Sequence, residues 1–159
     1  MRRCLTAGAL LLLLFYLACD HGLAPRPVSG IQGTISFQHW PPADSLHDLR
    51  LVVFRSFPPT NVVLEVLSGQ AFVYPPIDST HLPYFVDRVD YFLELPPGRY
   101  EYVVVAQQYG PNVFSDWRAV GQYDVDTDSL PTPITVPEGQ IVSPVDIQVD
   151  FKKLPIQPF

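Results

Sequence analysis

Arg88-Val-Asp-Tyr-Phe-Leu-Glu-Leu-Pro-Pro-Gly-Arg-Tyr-Glu-Tyr-Val-Val-Val-Ala-Gln107 is the stretch that decides the fold. It reads as two strands joined by a tight turn. Val89, Tyr91, Leu93 and Leu95 alternate with Arg88, Asp90 and Glu94, and only Phe92 breaks the polar face. After the turn, Tyr100, Tyr102, Val104 and Ala106 are expected on one face, with Arg99, Glu101 and Gln107 on the other. Alternation with period two is what a sheet with one buried face requires. Pro96-Pro97-Gly98 supplies the turn: proline presets φ near −65°, and glycine takes positive φ without a Cβ clash. The expectation is a hairpin forming the central pair of a β-sandwich.

The composition points the same way. Proline makes up 18 of 159 residues, about twice its usual share. It removes backbone donors and breaks helices, so an α-rich fold is excluded, and no helical-period segment is expected after residue 20. The net charge is −6, and loss of Arg2 and Arg3 with a leader lowers it to −8. The remaining Lys and Arg are scattered. That is no footprint for phosphate, so nucleic acid is excluded as a partner.

Outward from the opening stretch, residues 31–37 place Ile31, Ile35 and Phe37 on one face around Gly33. Residues 49–54 are apolar on both faces, which predicts a central strand covered on both sides. Residues 61–74 alternate loosely (Val62, Leu64, Val66 against Val63, Glu65, Leu67), with Ser68-Gly69 as a turn. Trp117, Ala119, Gly121 and Tyr123 alternate with Arg118, Val120 and Gln122. Residues 131–136 read as a short edge strand and Glu138-Gly139 as a turn. Val145, Ile147, Val149 and Phe151 then alternate cleanly with Asp146, Gln148, Asp150 and Lys152. Seven to nine short strands with regularly spaced turns predict an all-β, antiparallel, immunoglobulin-like sandwich over residues 29–153. Residues 154–159 are expected to be a frayed tail.

Three motifs in this order carry a resemblance: Ser29-Gly30-Ile31-Gln32-Gly33-Thr34-Ile35, then Leu95-Pro-Pro-Gly98 with Tyr100, then Val136-Pro-Glu-Gly139 with Val145-Asp-Ile-Gln-Val-Asp150. They are similar to carboxypeptidase-regulatory-like domains. That implies a transthyretin-like (prealbumin-like) sandwich across most of residues 29–152. It also implies an accessory module with no shared catalytic residues. Tyr100, just past the turn, is placed either as a plain core aromatic or as a donor to a nearby carbonyl, as in a tyrosine corner.

The N-terminus carries the most specific signal. Met1-Arg2-Arg3 is a basic start, and residues 5–18 are an apolar run of 14. A helix of that length is too short for a bilayer core of about 30 Å, but it suits the apolar region of a signal peptide. Tyr16-Leu17-Ala18-Cys19 resembles the lipobox of bacterial lipoproteins, with Tyr16 standing where an aliphatic residue is usual. The resemblance implies cleavage between Ala18 and Cys19 and a diacylglycerol thioether on Cys19. The mature chain would keep a single cysteine, which lipidation explains; a plain secretory signal with a free thiol is the rival reading. The expected organisation is a signal-peptide helix over residues 1–18 and a tether over residues 19–28, followed by the sandwich. The expected location is a bacterial envelope, membrane-anchored on the periplasmic or surface side.

Sites with chemistry are sparse. Asp124, Asp126 and Asp128 lie two apart, so an extended backbone puts three carboxylates on one face, which makes a weak calcium candidate. His21, His39, His47 and His81 are dispersed, with no zinc-ligand spacing. No nucleophile elbow or phosphate loop is present. No cofactor or metal is therefore expected, and no enzyme. Trp40, Tyr84, Phe85, Tyr109, Phe114 and Trp117 flank turns, where such aromatics more often plug the ends of the core than meet a partner; Tyr109, Phe114 and Trp117 are the candidates for stacking on a ligand. The leading reading is a lipid-anchored, non-enzymatic module that docks an envelope protein. The alternative is a surface lipoprotein that binds a glycan or another small ligand. A flat aromatic platform would favour the glycan, and a broad apolar patch or an unpaired edge strand would favour the protein.

Overall fold

A computed structural model describes residues 27–126, 128 and 130–159. Ten strands are present among them: β1 (Gly30–Gln38), β2 (Asp48–Phe54), β3 (Ala71–Tyr74), β4 (Arg88–Glu94), β5 (Gly98–Tyr100), β6 (Tyr102–Gln108), β7 (Trp117–Gln122), β8 (Ile134–Val136), β9 (Ile141–Val142) and β10 (Ile147–Asp150). One short α-helix, α1, spans Val62–Leu67, and a single 3-10 turn spans Ala43–Ser45. The all-β expectation holds. The expected signal peptide, Ala18, Cys19 and most of the tether lie outside the described residues.

The first sheet runs β10-β1-β4, with β9 also on β1, and the second runs β3-β2-β6-β7. A two-stranded ribbon of β5 and β8 stands apart. Every pair in the second sheet is antiparallel. In the first sheet only β1–β4 is antiparallel, because β9 and β10 both run parallel to β1. The sandwich is therefore mixed, where a wholly antiparallel one was expected.

The two sheets share one core. Ile31, Ile35, Tyr91, Ile147 and Val149 of the first sheet meet Leu49, Leu51, Val53, Val103 and Val105 of the second. Close approach of backbones explains Gly33, since a Cβ there would lie 2.1 Å from the carbonyl oxygen of Val145. The phenol of Tyr91 donates to that same carbonyl at 2.7 Å, in a buried bond.

The opening stretch does not form a hairpin. β4 pairs with β1 and β6 pairs with β2, so residues 95–101 carry the chain from one sheet to the other. Two features turn it. Gly98 has φ +154°, which side chains rarely adopt. Tyr100 donates its hydroxyl to the Pro96 carbonyl at 2.7 Å, the corner bond expected as one reading of this residue. Glu101 then breaks the alternation, with its N–H bonded to the Phe54 carbonyl. Tyr100 faces the shared core, whereas Tyr102, Val104 and Ala106 face the outer side of the second sheet, so the single face expected for all four is split.

The outer side of the second sheet is itself buried. Val52, Phe54, Tyr102, Val104, Ala106 and Ala119 form a second apolar cluster, joined by Val62 and Val66 of α1 and by Phe159. The two-sided burial expected for residues 49–54 is thus present, and β6 is buried throughout. Two of the covers were unexpected. α1 forms where loose strand alternation was read. The tail is docked: the Gln157 side chain bonds both the N–H and the carbonyl of Ala119, each at 3.0 Å. Gln157 thus mimics one rung of a ladder against β7, and Phe159 packs near Phe54.

Candidate functional site

α1 is short and rich in valine, a poor helix former, so its ends and its packing must hold it. Asn61 caps the start, its side chain accepting from the Leu64 N–H at 3.0 Å. Glu65, almost fully buried, reaches back to the Thr60 N–H at 2.6 Å and to its hydroxyl at 3.1 Å. At the other end Gly69 takes φ +73°, and the Gln70 and Gly69 N–H groups bond the carbonyls of Glu65 and Val66. That pair of bonds is a Schellman stop. Ser68-Gly69 is thus a turn as expected, but it ends a helix.

So placed, α1 forms one wall of a groove of about 360 Å³ on the outer side of the second sheet. Val52 of β2 and Val73 of β3 form its floor, and Val62, Val66 and Leu67 form the α1 wall. Val113, Phe114 and Trp117 make the facing wall. The loop that carries them is tightly turned. Asp116 accepts from the Asn112 N–H, Asn112 accepts from the Phe114 N–H, and the Trp117 indole donates to the Val113 carbonyl at 2.6 Å. The Asn61 side chain also donates to the Phe114 carbonyl, tying the two walls together at one end.

Arg50 closes the polar end. It is buried, and its Nε donates to both oxygens of Asp48 at 2.9 and 3.0 Å. Its terminal nitrogens donate to the carbonyls of Pro75, Pro76 and Ser79. The guanidinium thus serves as a clamp that folds this loop and hangs Ile77 over the groove. A buried charge is tolerated because it is paired and hydrogen-bonded in this way.

These walls leave a contiguous apolar patch. Leu67 is 67% exposed, Phe114 63% and Ile77 61%, and all three line the groove. Scattered exposed leucines mean little, but a concave apolar patch with a few fixed polar groups is the usual form of a binding site. Asp48 and Arg50 are the only ionisable side chains lining it among the described residues, and they neutralise each other. The groove can bind by burying apolar surface. Among the described residues that line it there is no Ser, Thr, Cys, His, Lys or Tyr side chain.

The three stacking candidates do not form one platform. Phe114 and Trp117 share the groove, while Tyr109 lies outside it, its ring under the Arg118 guanidinium at 5.7 Å. Trp40, Tyr84 and Phe85 gather at an end of the shared core. Trp40 packs on Phe37 and Phe151, each at 4.8 Å between ring centres, and Tyr84 stacks on His81 at 3.7 Å. Burial pushes the Tyr84 phenol up to about 12, with the Asp48 carboxylate adding to the rise. His39 bonds Asp150 at 2.8 Å, far in sequence from His81. Asp124, Asp126 and Asp128 converge, with ligand atoms within 4.8 Å of one another, because the chain bends at residues 125, 126 and 128 where the sequence reading took an extended backbone. The last two are exposed, and Asp128 accepts from the Leu130 N–H in a turn of its own. Exposed carboxylates gather in turns without an ion, and the convergence carries no metal assignment.

No protein-family model, curated protein or solved structure matches the chain. Among the described residues no helix is long and apolar enough to cross a membrane. Among the groove residues that the sequence reading missed are Val62, Val66, Leu67, Arg50 and Ile77. A signal existed for the first three: Asn61 four positions before Glu65, with Gly69 beyond, is a helix start and stop around a short apolar run.

Proposed function

We propose that this protein is a non-enzymatic interaction module of a bacterial envelope, held to the membrane by a lipid on Cys19. Its immunoglobulin- or transthyretin-like sandwich presents the α1 groove to an apolar segment of a partner protein. The observation that carries the reading is that groove, with Leu67, Phe114 and Ile77 exposed along its walls. Its shape favours a protein side chain over a sugar. Sugars stack on flat aromatic faces flanked by hydrogen-bonding groups, and Tyr109 is parted from Phe114 and Trp117. The lipobox-like Tyr16-Leu-Ala-Cys19 supports the anchor, and palmitate-analogue labelling that is lost in Cys19→Ala checks it.

The docking reading is tested with synthetic peptides. The chain, reconstituted in lipid nanodiscs, is titrated with peptides that carry Leu, Ile or Phe anchors and with a panel of oligosaccharides. Burying one such anchor contributes about 1.5–3 kcal/mol. Apolar peptides are therefore expected to bind saturably and to weaken at least tenfold in Phe114→Ala. Binding of oligosaccharides alone, or peptide binding indifferent to Phe114→Ala, would overturn the reading.

A further inference from the structure

The hydrogen bonds around β1 fix which way each backbone group of β4 points. The Leu95 N–H bonds the Ser29 carbonyl, and the Phe37 N–H bonds the Asp87 carbonyl. On the far side of β1, the N–H groups of Gly30 and Thr34 and the Gln32 carbonyl bond away from β4. Odd residues of β1 and β4 thus face each other, which matches the register Ile31↔Leu93 and Gly33↔Tyr91. In an antiparallel ladder the alternate residues must then direct their N–H and C=O outward. These are Arg88, Asp90, Phe92 and Glu94. β4 pairs with no strand but β1, and those outward groups have no partner among the described residues.

An open edge of seven residues is a template for another strand. Charged side chains usually guard such an edge, and β4 carries three. Here their order is self-complementary. When two copies of β4 run antiparallel about a two-fold axis at Tyr91, Arg88 lies opposite Glu94 of the second copy, and Asp90 lies opposite Phe92. Both pairs join residues whose backbone groups point outward, so the register satisfies the hydrogen-bonding phase as well as the charges. Moving the axis to Asp90 sets two aspartates face to face. Moving it to Phe92 sets Asp90 against Glu94. Neither Arg88 nor Glu94 makes an ion pair among the described residues, and both are exposed. Phe92, 42% exposed, breaks the polar face and would reach its symmetry mate diagonally across the new pair.

We infer that the occupant of this edge is a second copy of the chain, joined β4 to β4 with Arg88 paired to Glu94 in both directions. Each such contact occurs twice, as a two-fold interface requires. About eight backbone hydrogen bonds close the edge. The α1 groove lies on the other sheet, so both copies would keep it open; this inference does not rest on the docking role proposed for that groove.

The test is a charge swap on the full chain in dilute detergent, with chains per particle counted by light scattering and sedimentation across a concentration series. The unchanged chain should form a dimer. Arg88→Glu and Glu94→Arg alone each set like charges opposite one another at two places, so each should weaken dimerisation by roughly tenfold or more. The double variant Arg88→Glu/Glu94→Arg restores opposite charges and should restore the dimer. All four positions of the outer face are exposed, and an unchanged circular-dichroism spectrum checks that each variant is folded. A chain that stays monomeric throughout the series would overturn the inference, as would an association indifferent to the single swaps or a double variant that fails to recover.

Discussion

Tyr91 and Tyr100 each donate a phenolic hydrogen bond of 2.7 Å to a carbonyl, yet removing the two hydroxyls should cost different amounts. Phenylalanine keeps either ring, so neither change opens a cavity. The difference lies in the acceptor. Pro96 is exposed, and its carbonyl can turn to water once Tyr100 releases it. Tyr100→Phe should therefore lose only the net value of a bond, about 1 kcal/mol. Val145 is fully buried, so Tyr91→Phe strands its carbonyl without water. The cost should rise to about 2–3 kcal/mol, the upper part of the range of about 1–3 kcal/mol for an unsatisfied buried group. Tyr100→Ala supplies the scale: it also removes a ring packed edge-on to Phe72 at 5.8 Å and lying under Arg55, at about 3–5 kcal/mol. Urea unfolding with an unchanged slope measures all three. At about 4 °C per kcal/mol for a domain of this size, thermal midpoints should fall by about 4 °C and 10 °C for the two phenylalanine variants. Equal losses, or a larger one at Tyr100, would refute the reasoning from carbonyl burial.

Three further outcomes follow from the same geometry. Gly33→Ala should cost about 3 kcal/mol or more, because the added carbon meets backbone that cannot rotate away; a folded variant within 1 kcal/mol of the parent in urea would count against the close β1 approach. Glu65→Ala should cost about 2 kcal/mol and speed hydrogen exchange across residues 60–69, since it releases both the Thr60 N–H and the start of α1; Glu65→Gln should lose less. Burial raises the phenols of Tyr91, Tyr102 and Tyr100, and that of Tyr84 to about 12. An acid whose folded pKa is raised contributes stability that is complete below its unfolded value near 10 and is lost as pH climbs through the folded one. Stability should thus fall steeply above pH 10, with tyrosinate absorbance rising along with unfolding, and Tyr84→Phe should remove part of the slope.

What was legible in the sequence was burial, and what was not was partnership. The alternation in β4 is as read, with Val89, Tyr91 and Leu93 turned inward. The run at residues 49–54 is buried on both faces, and the turn at Gly139 has φ +66°. Each of these follows from local chemistry. Which strands pair does not. Leu95-Pro-Pro-Gly98 satisfies a turn equally well whether the flanking strands pair with each other or cross between sheets, and Glu101 shifted the faces of Tyr100 and Tyr102 against each other. α1 was hidden because its valines carry the signature of a strand, while its helical form depends on Asn61, Glu65 and Gly69 acting together. The candidate site followed from that omission. Phe114 and Trp117 were named from exposure at turns, but the groove that gives them a role is made by α1 and by the loop that Arg50 clamps.

Fluorine-labelled tryptophan gives the most direct test of the groove. The chain has two tryptophans, Trp117 in the groove wall and Trp40 in the aromatic plug of the shared core. An apolar peptide that binds as proposed should shift the Trp117 resonance saturably and leave Trp40 unmoved, and Leu67→Asp, exposed on the α1 wall, should abolish the shift. A Trp117 resonance that ignores every apolar peptide, or one that moves equally in Leu67→Asp, would contradict the account.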